Sequence, residues 1–172
     1  YADEEAIVNA PFFLPYLSGE RTPHNDPHIR GSFHAIKTTT DATKMQYAVI
    51  EGVSFGILDG VNSILKVNDN FEKIFMVGGG SKSIFWTELL ASLLNKKLSV
   101  CEQSEYGAAL GVARLAMHVD ENIKNKIHII KEIKISNEYK PKSNNFETLM
   151  KRYSIWKDLY TSNKKINILF PK

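Results

Sequence analysis

Three consecutive glycines, Gly78 to Gly80, separate a short apolar segment from a predicted helix. Glycine carries no side chain, so a phosphate can approach the backbone closely at such a turn. The free N–H groups and the dipole of a helix N-terminus also favour anions. Ser81 and Ser83 follow the glycines at the start of the helix. The residue types and their spacing therefore raise the question of which phosphate-binding turn this is.

Three interpretations of the glycine turn remain open from these residues alone. A Walker A loop is excluded, because the Gly-Lys-Ser/Thr that must follow four intervening residues is missing. A dinucleotide site is suggested by Gly78 and Gly80 after a strand, and by Glu102 at the end of the next strand, but Ser83 replaces the third glycine. The turn could also serve only to pack a strand against a helix. The third interpretation is a mononucleotide whose phosphates or ribose rest on the glycine backbone.

The elements around the turn predict a parallel α/β layer. A strand is predicted over 73–77, because the apolar run that follows Lys73 is typical of a strand buried on both faces. Residues 97–101 are predicted to form a second strand. Helices are predicted over 82–95 and 105–118, the first with its apolar side chains facing inward, including Ile84. The order strand, helix, strand, helix is typical of parallel pairing.

A longer helix is predicted from Asp41 to about Lys66, with Thr39 or Thr40 as its cap. Its apolar residues recur at three- and four-residue spacing and define the predicted buried stripe: Met45, Val49, Val53, Ile57, Val61 and Ile64. Gly52, Gly56 and Gly60 lie on one face of the same helix. Each glycine costs about 1 kcal/mol in a helix, so we expect them to allow close approach of another backbone.

The remaining segments complete a one-domain interpretation over residues 1–172. Four prolines and two glycines predict an ordered loop over 11–31, and 32–38 reads as a strand within an α/β core at 32–118. Residues 119–145 read as a connecting segment, in which 127–135 could be strand or helix. An amphipathic helix is predicted over 146–162.

Composition excludes several classes of protein. The chain has 172 residues, 43% of them hydrophobic, which suffices for one core. Its net charge of +3 is spread along the chain, which argues against a nucleic-acid-binding stripe. Cys101 is the single cysteine, which favours a reducing compartment, and no uninterrupted apolar stretch predicts a membrane span. The start lacks methionine and carries three acids, so we expect a piece of a longer protein.

Four segments, taken together, resemble one known family. They are FLPYLSGERTPHNDPHIRGSF from Phe13, AVIEGVSFGILDG from Ala48, VGGGSKSIFW from Val77 and GAALGVARLA from Gly107. In this order and at this spacing they resemble the C-terminal half of the FGGY family of carbohydrate kinases. The resemblance covers nearly all of residues 12–118, and the last helix also fits it.

The resemblance implies a fold and a set of binding residues. The fold would be an actin-like (ribonuclease H-like) α/β domain with a mixed sheet flanked by helices, the C-terminal half of a two-domain sugar kinase. ATP, Mg²⁺ and the sugar would lie in the cleft between the domains. Gly78, Gly79 and Gly80 would form the nucleotide loop of this half, followed by Ser81 and Ser83, with Ile84 near the adenine. The helix from Gly107 would cross another at the hinge.

The resemblance also implies that no catalytic residue lies in this chain. Phosphoryl transfer needs a base, Mg²⁺ and donors for the developing charge. In the family, the catalytic aspartate, the sugar-binding residues and the first phosphate loop all precede this segment. Within the family, the segment SGERTPHNDP resembles the branch that acts on the pentulose D-xylulose more than the glycerol-kinase branch, and another sugar or polyol is the alternative substrate. We expect the chain alone to be inactive, the intact enzyme to be cytoplasmic, and a homodimer to be one option.

Two departures from the family pattern concern local geometry. Ala35 stands where the family usually has glycine, which costs little if the backbone there is extended. Lys44 stands in the first helical turn, where a cation is unfavourable by roughly half a kcal/mol.

The other candidate residues are expected to be structural. Glu20, Arg21 and Asp26 are expected to order the loop by salt bridges or to border the cleft. His24 and His28 are four residues apart, but the prolines beside them prevent the helix that would align them as a metal pair. Trp86 and Trp156 read as core side chains, and Cys101 as a buried one.

Overall fold

The computed structural model describes residues 4–67, 73–119, 134–142 and 145–167. The chain divides into two compact units, which are considered separately below. The first unit contains residues 1–71, 92–94 and 142–172, and the second contains 72–91 and 95–141. The prediction of one domain over residues 1–172 stays a prediction.

The first unit begins with helix α1 (Glu4–Asn9) and two short strands, β1 (Phe12–Leu14) and β2 (Ser32–His34). These strands pair antiparallel, with Phe13 opposite Phe33. β1 lies within the segment predicted as loop, because the apolar residues between Pro11 and Pro15 pair with β2. β2 is shorter than the predicted strand. It ends before Ala35, whose φ of +61° is left-handed, so the condition under which alanine would cost little at this position is not met.

Helix α2 (Ala42–Leu65) has nearly the predicted bounds but another cap and another buried face. Its N-cap is Asp41, whose carboxylate accepts a hydrogen bond from the Lys44 backbone N–H at 2.9 Å. The Lys44 ammonium also contacts Asp41, at 2.9 Å, which offsets its unfavourable place in the first turn. The buried residues are Tyr47, Ala48, Glu51, Gly52, Ser54, Phe55, Leu58 and Asp59.

The stripe predicted to be buried is therefore only partly covered, with Met45, Val53 and Val61 half-buried. Val49 and Ile57 are each 38% exposed, and Ile64 is 51% exposed. The covered face instead combines aromatic and small residues with two acids that have specific partners. Spacing alone identified both faces as helical but could not decide which one the neighbouring elements cover.

One of the three helical glycines has the predicted role. A methyl group placed on Gly52 would lie 2.2 Å from the Phe13 carbonyl oxygen, so only glycine lets β1 pack at this distance. Gly56 meets only the Pro15 ring at 3.8 Å, and Gly60 meets nothing within 4 Å. The expected close approach therefore holds at Gly52 alone.

Helix α5 (Phe146–Asn167) extends the predicted helix by five residues and joins α2 through buried polar contacts. Arg152 donates to both carboxylate oxygens of Glu51, at 2.7 and 2.6 Å, and to the Ala10 carbonyl at 3.1 Å. Trp156 is 1% exposed, as predicted for a core side chain, and its indole N–H donates to the Phe13 carbonyl at 2.7 Å.

These contacts also explain the apolar character of α2. By length and composition alone, α2 is apolar enough to cross a membrane, a test that the core helices of soluble proteins also pass. Glu51 and Asp59 are buried on it, and each carboxylate has a partner on α5, Arg152 and Tyr153 respectively. The buried face of α2 is thus that of a central core helix.

The second unit is built on a mixed three-stranded sheet in the order β3 (Ile74–Met76), β4 (Leu98–Cys101), β5 (Ile135–Tyr139). β3 and β4 are parallel, as predicted, with Phe75 opposite Ser99. β5 pairs antiparallel with β4, with Glu138 opposite Ser99. β5 occupies part of the connecting segment. Residues 120–133, which include most of the ambiguous 127–135, lie outside the described part of the chain.

The helices of this unit follow the predicted order. Helix α3 (Ile84–Leu94), whose last three residues belong to the first unit, buries Leu89 and Leu90. Helix α4 (Gly107–Val119) follows a short 3-10 turn at Ser104–Tyr106. α4 buries none of its residues. β3 is likewise not buried on both faces as predicted, since Ile74 and Met76 are half-buried and Phe75 is exposed. It lies at the outer edge of the sheet in the described part of the chain.

Candidate functional site

The glycine turn leaves the carboxyl end of β3 in a conformation that requires glycine. Gly78 has φ +89° and ψ −177°, a region that residues with side chains rarely adopt. A short 3-10 helix then runs over Gly79–Lys82. A methyl group on Gly78 or Gly79 would meet nothing within 4 Å. The backbone is therefore open on this side, which is what a phosphate group would need in order to approach it.

Two buried serines hold the turn in this shape. The Ser81 hydroxyl donates to the Gly78 carbonyl at 2.7 Å and lies 2.7 Å from the Ser104 hydroxyl. The Gly78 N–H donates to the Ser104 carbonyl, also at 2.7 Å. Both serines are less than 9% exposed. Ser81 thus fixes the loop from behind, and this geometry does not present its hydroxyl at the open surface.

Of the other predicted residues, Ser83 and Gly80 make structural contacts, whereas Ile84 is exposed. The Ser83 hydroxyl accepts the Trp86 backbone N–H at 3.2 Å and so caps the first turn of α3. A methyl group on Gly80 would lie 2.5 Å from the half-buried Trp86 ring, so Gly80 is needed for packing. Ile84 is 55% exposed, contrary to the inward position expected from helix periodicity. The placement of Ile84 near the adenine stays a prediction.

A cavity of about 380 Å³ lies beside the turn, between the ends of β3 and β4 and helix α4. Its lining residues are Val77, Cys101, Glu102, Gln103, Ser104, Gly107, Leu110, Gly111, Arg114 and Lys134. None of the six predicted binding residues is among them. Two lining residues adjoin the turn: Val77 directly precedes Gly78, and Ser104 is hydrogen-bonded to it. Sequence reasoning missed this cavity. The signal was present, because ligands bind at the carboxyl ends of parallel strands.

The charges around the turn are mixed. Lys82 forms an ion pair with Glu105 at 3.5 Å, and Arg114 and Lys134 bring two cations to the cavity wall. Cys101 is half-buried and lines the cavity, so its predicted burial is only partial. Among the described residues, no group of three or more His, Cys, Asp or Glu side chains could hold a metal ion. The described residues around the turn therefore do not fit Mg²⁺ as a set of protein ligands.

In the first unit, the charged residues of the proline-rich loop order its backbone. The Glu20 carboxylate accepts the Thr22 N–H at 2.7 Å. Asp26 accepts the His28 and Ile29 N–H groups at 2.9 and 3.2 Å, and the Tyr160 hydroxyl at 3.1 Å. These bonds, with the His28 backbone bond first, hold the pKa of Asp26 below its usual value. Glu20 and Asp26 thus order the loop through hydrogen bonds, whereas the prediction named salt bridges, and Arg21 is exposed.

His24 belongs to an aromatic cluster in the same unit. Its ring stacks on Tyr160 with centroids 3.6 Å apart and meets the edge of Tyr16 at 5.7 Å. Burial lowers the pKa of His24. The Tyr16 hydroxyl is buried and has no hydrogen-bond partner among the described residues. The cluster fixes the loop against α5.

Comparison with known proteins identifies the class. Residues 2–119 match the model of the C-terminal domain of the FGGY family of carbohydrate kinases. The match includes the glycine turn and most of the cavity beside it. The chain therefore belongs to the FGGY family, and it corresponds to the C-terminal domain of its members.

Individual proteins similar to this chain include several sugar kinases. The chain is 31% identical over 92% of its length to the xylulose kinase of Escherichia coli K12, of which it covers 32%. The crystal structure of a xyloylose kinase from Brucella ovis is 32% identical over 91% of this chain and 32% of that one, with a TM-score of 0.77. A gluconate kinase from Lactobacillus acidophilus is 26% identical over 92% of this chain and 33% of that one, with a TM-score of 0.69. The chain thus spans about a third of the length of each.

Proposed function

We propose that this chain is the nucleotide-facing C-terminal domain of an ATP-dependent xylulose kinase with an actin-like fold. The full polypeptide in which it would occur is called the parent polypeptide below. The relatives named xylulose kinase support this proposal, and so does the length of the chain, about a third of theirs. The cytoplasm is the expected location.

The observation that carries the proposal is the open backbone at Gly78 and Gly79. Phosphate or ribose oxygens of ATP would approach the turn there, while Ser81 and Ser83 hold its shape and Ile84 offers an exposed apolar surface. The cavity beside the turn is large enough for part of a nucleotide, and Arg114 supplies positive charge on its wall.

The reaction would be completed by residues outside this chain. The γ-phosphoryl group of ATP would move to the 5-hydroxyl oxygen of D-xylulose, ADP would leave, and a base would accept the hydroxyl proton. The acids Asp26, Asp41 and Asp59 are all committed to structural contacts. Mg²⁺ would be held by the nucleotide phosphates and by residues of the rest of the parent polypeptide.

A glycine substitution tests the nucleotide loop. Gly79→Val places a side chain where the structure has open space and no positive φ, so folding is expected to be unaffected. Loss of one backbone contact to a phosphate costs about 1.5–3 kcal/mol, which predicts roughly a 10- to 150-fold rise in the ATP KM of the parent polypeptide. Sugar binding measured by calorimetry should survive. Gly60→Ala, on an open face of α2, is the control.

Unchanged ATP kinetics in Gly79→Val would contradict the assignment of the loop. Gly80→Val is a weaker test, because it would displace Trp86 whether or not a nucleotide binds. A dinucleotide site makes the opposite prediction for ligand protection. NAD and not ATP would then raise the melting temperature, and Glu102→Ala would remove that effect.

The sugar is the part of the proposal with a specific alternative. Similarity to a gluconate kinase favours another FGGY kinase substrate as the second candidate. Measuring kcat/KM of the parent polypeptide on D-xylulose, gluconate and a panel of other sugars and polyols decides between them. The proposal expects D-xylulose to give the highest value.

A further inference from the structure

Ser104 holds both polar backbone groups of Gly78. The Gly78 N–H donates to the Ser104 carbonyl at 2.7 Å. The Ser81 hydroxyl donates to the Gly78 carbonyl at 2.7 Å and therefore has no second proton to give. The Ser81 and Ser104 hydroxyl oxygens are 2.7 Å apart, so the proton between them comes from Ser104. Ser104 thus contacts the N–H of Gly78 directly and the carbonyl of Gly78 through Ser81.

The two hydroxyl groups form a hydrogen-bond chain that is shielded from water. Ser81 is 6% exposed and Ser104 is 8% exposed. Hydrogen bonds linked in this way polarise one another and are stronger in a low-dielectric environment. The backbone before Ser104 is also constrained, because Gln103 has φ +58° and ψ +25°, a left-handed conformation that residues with side chains rarely adopt. Such conformations are concentrated at functional sites.

The bond to the Gly78 carbonyl also sets the direction of the next N–H group. The Gly78 carbonyl and the Gly79 N–H belong to one trans peptide unit, in which the two groups point in opposite directions. Since the carbonyl points toward the buried Ser81, the Gly79 N–H points away from both serines. Among the described residues none accepts this N–H, and a methyl group on Gly79 would meet nothing within 4 Å. The Gly79 N–H is therefore available to a ligand.

We propose that Ser104 is a positioning residue of the nucleotide site, which acts through Ser81 to aim the Gly79 N–H at an oxygen atom of the bound nucleotide. This inference rests on the proposed function, which makes the glycine turn a nucleotide loop. Ser104 acts from the buried side of the turn. Without its hydroxyl group, the peptide between Gly78 and Gly79 is held less firmly, and its N–H donates less well to the nucleotide.

The substitution Ser104→Ala in the parent polypeptide tests this role. Loss of one hydrogen bond from the chain predicts a rise of about 3- to 10-fold in the KM and Kd for ATP. The contact is present before and during the reaction, so kcat should change little. A merely structural role would instead lower the melting temperature and the folded fraction, and it would leave the ATP KM unchanged. Ser81→Ala removes the same link from its other end and should give a similar rise.

A buried serine away from the turn provides the matched control. Ser99 is 3% exposed on β4, and its hydroxyl group is hydrogen-bonded to Glu138. Ser99→Ala removes a buried hydroxyl from the same unit, and it should therefore lower the melting temperature without raising the KM for ATP. An equal rise in the ATP KM for Ser99→Ala and Ser104→Ala would overturn the proposal.

Double substitutions test whether Ser104 acts through the turn. In a Ser81→Ala background the link is already broken, and in a Gly79→Val background the contact with the nucleotide is already lost. Ser104→Ala should therefore raise the Kd for ATP no further in either background. A rise in both backgrounds as large as in the unsubstituted protein would show that Ser104 acts by another route, and it would overturn the proposal.

Calorimetric titration with ATP in the absence of sugar separates this inference from the proposed function. A parent polypeptide that phosphorylates a sugar, but whose Ser104→Ala variant binds ATP as tightly as before, refutes the positioning role alone. A parent polypeptide that phosphorylates no sugar, but binds ATP more weakly after Ser104→Ala, refutes the kinase function alone. A folded parent polypeptide that binds no ATP refutes both.

Discussion

Substituting Gly52 by alanine tests how β1 packs on α2. The added methyl group would lie 2.2 Å from the Phe13 carbonyl oxygen and 3.0 Å from its carbon, so β1 must move. Overpacking of this kind costs about 1–3 kcal/mol. The same carbonyl accepts the Trp156 indole N–H at 2.7 Å, and leaving that buried donor without its partner costs about 1–3 kcal/mol more. Alanine recovers about 1 kcal/mol of helix propensity.

The expected net loss of unfolding free energy is therefore about 3 kcal/mol. For a chain of this size, that lowers the melting temperature by roughly 6–12 °C. Urea unfolding followed by Trp fluorescence and circular dichroism measures it. Gly60→Ala is the matched control, because a methyl group there meets nothing within 4 Å and should add about 1 kcal/mol. If Gly52→Ala is as stable as Gly60→Ala, the described contact between β1 and α2 is wrong.

Three further substitutions test individual contacts of the first unit by urea unfolding. Ala35→Gly should gain about 0.5–1 kcal/mol, because relief of the left-handed backbone at φ +61° outweighs the greater freedom of glycine in the unfolded chain; a loss would contradict that backbone. Tyr16→Phe removes a buried hydroxyl without a partner among the described residues and should gain about 1–2 kcal/mol, whereas a loss would reveal an unrecognised partner. The pKa of Asp26 is lower in the folded protein than in the unfolded chain, so the ionised carboxylate stabilises the fold. This stabilisation is fully present above the unfolded pKa of ~3.9 and is lost as the pH falls through the lowered pKa of the folded protein. Asp26→Asn should therefore flatten stability against pH between about 5 and 2, and an unchanged slope would contradict the Asp26 contacts.

Sequence patterns located most of the helices and strands. The glycine turn between β3 and α3, the long helix from residue 42 and the final helix follow from periodicity and from residues that start or end helices. Burial was less predictable. α2 has two apolar faces, and only the contacts with β1 and α5 decide that Phe55 is covered and Ile57 is not.

In the candidate site, too, local features could be predicted from the sequence and contacts between distant residues could not. Its glycines could be identified from the sequence because a bare backbone is a local property of the residue. The Ser81–Ser104 bond joins residues 23 positions apart and could not be inferred, because nothing in either segment specifies the other. The cavity with Arg114 and Lys134 likewise arises from three-dimensional neighbours. The left-handed backbone at Ala35 was missed because alanine rarely adopts it.

The most direct test of the central claim is a sugar phosphorylation assay on two purified proteins, the parent polypeptide and the 172-residue chain. ADP release with ATP and D-xylulose should be rapid for the parent polypeptide and absent for the chain alone. Parent Gly79→Val should retain its fold and lose apparent ATP affinity. Phosphorylation by the isolated chain, or a folded parent polypeptide that transfers phosphate to no sugar, would contradict the account.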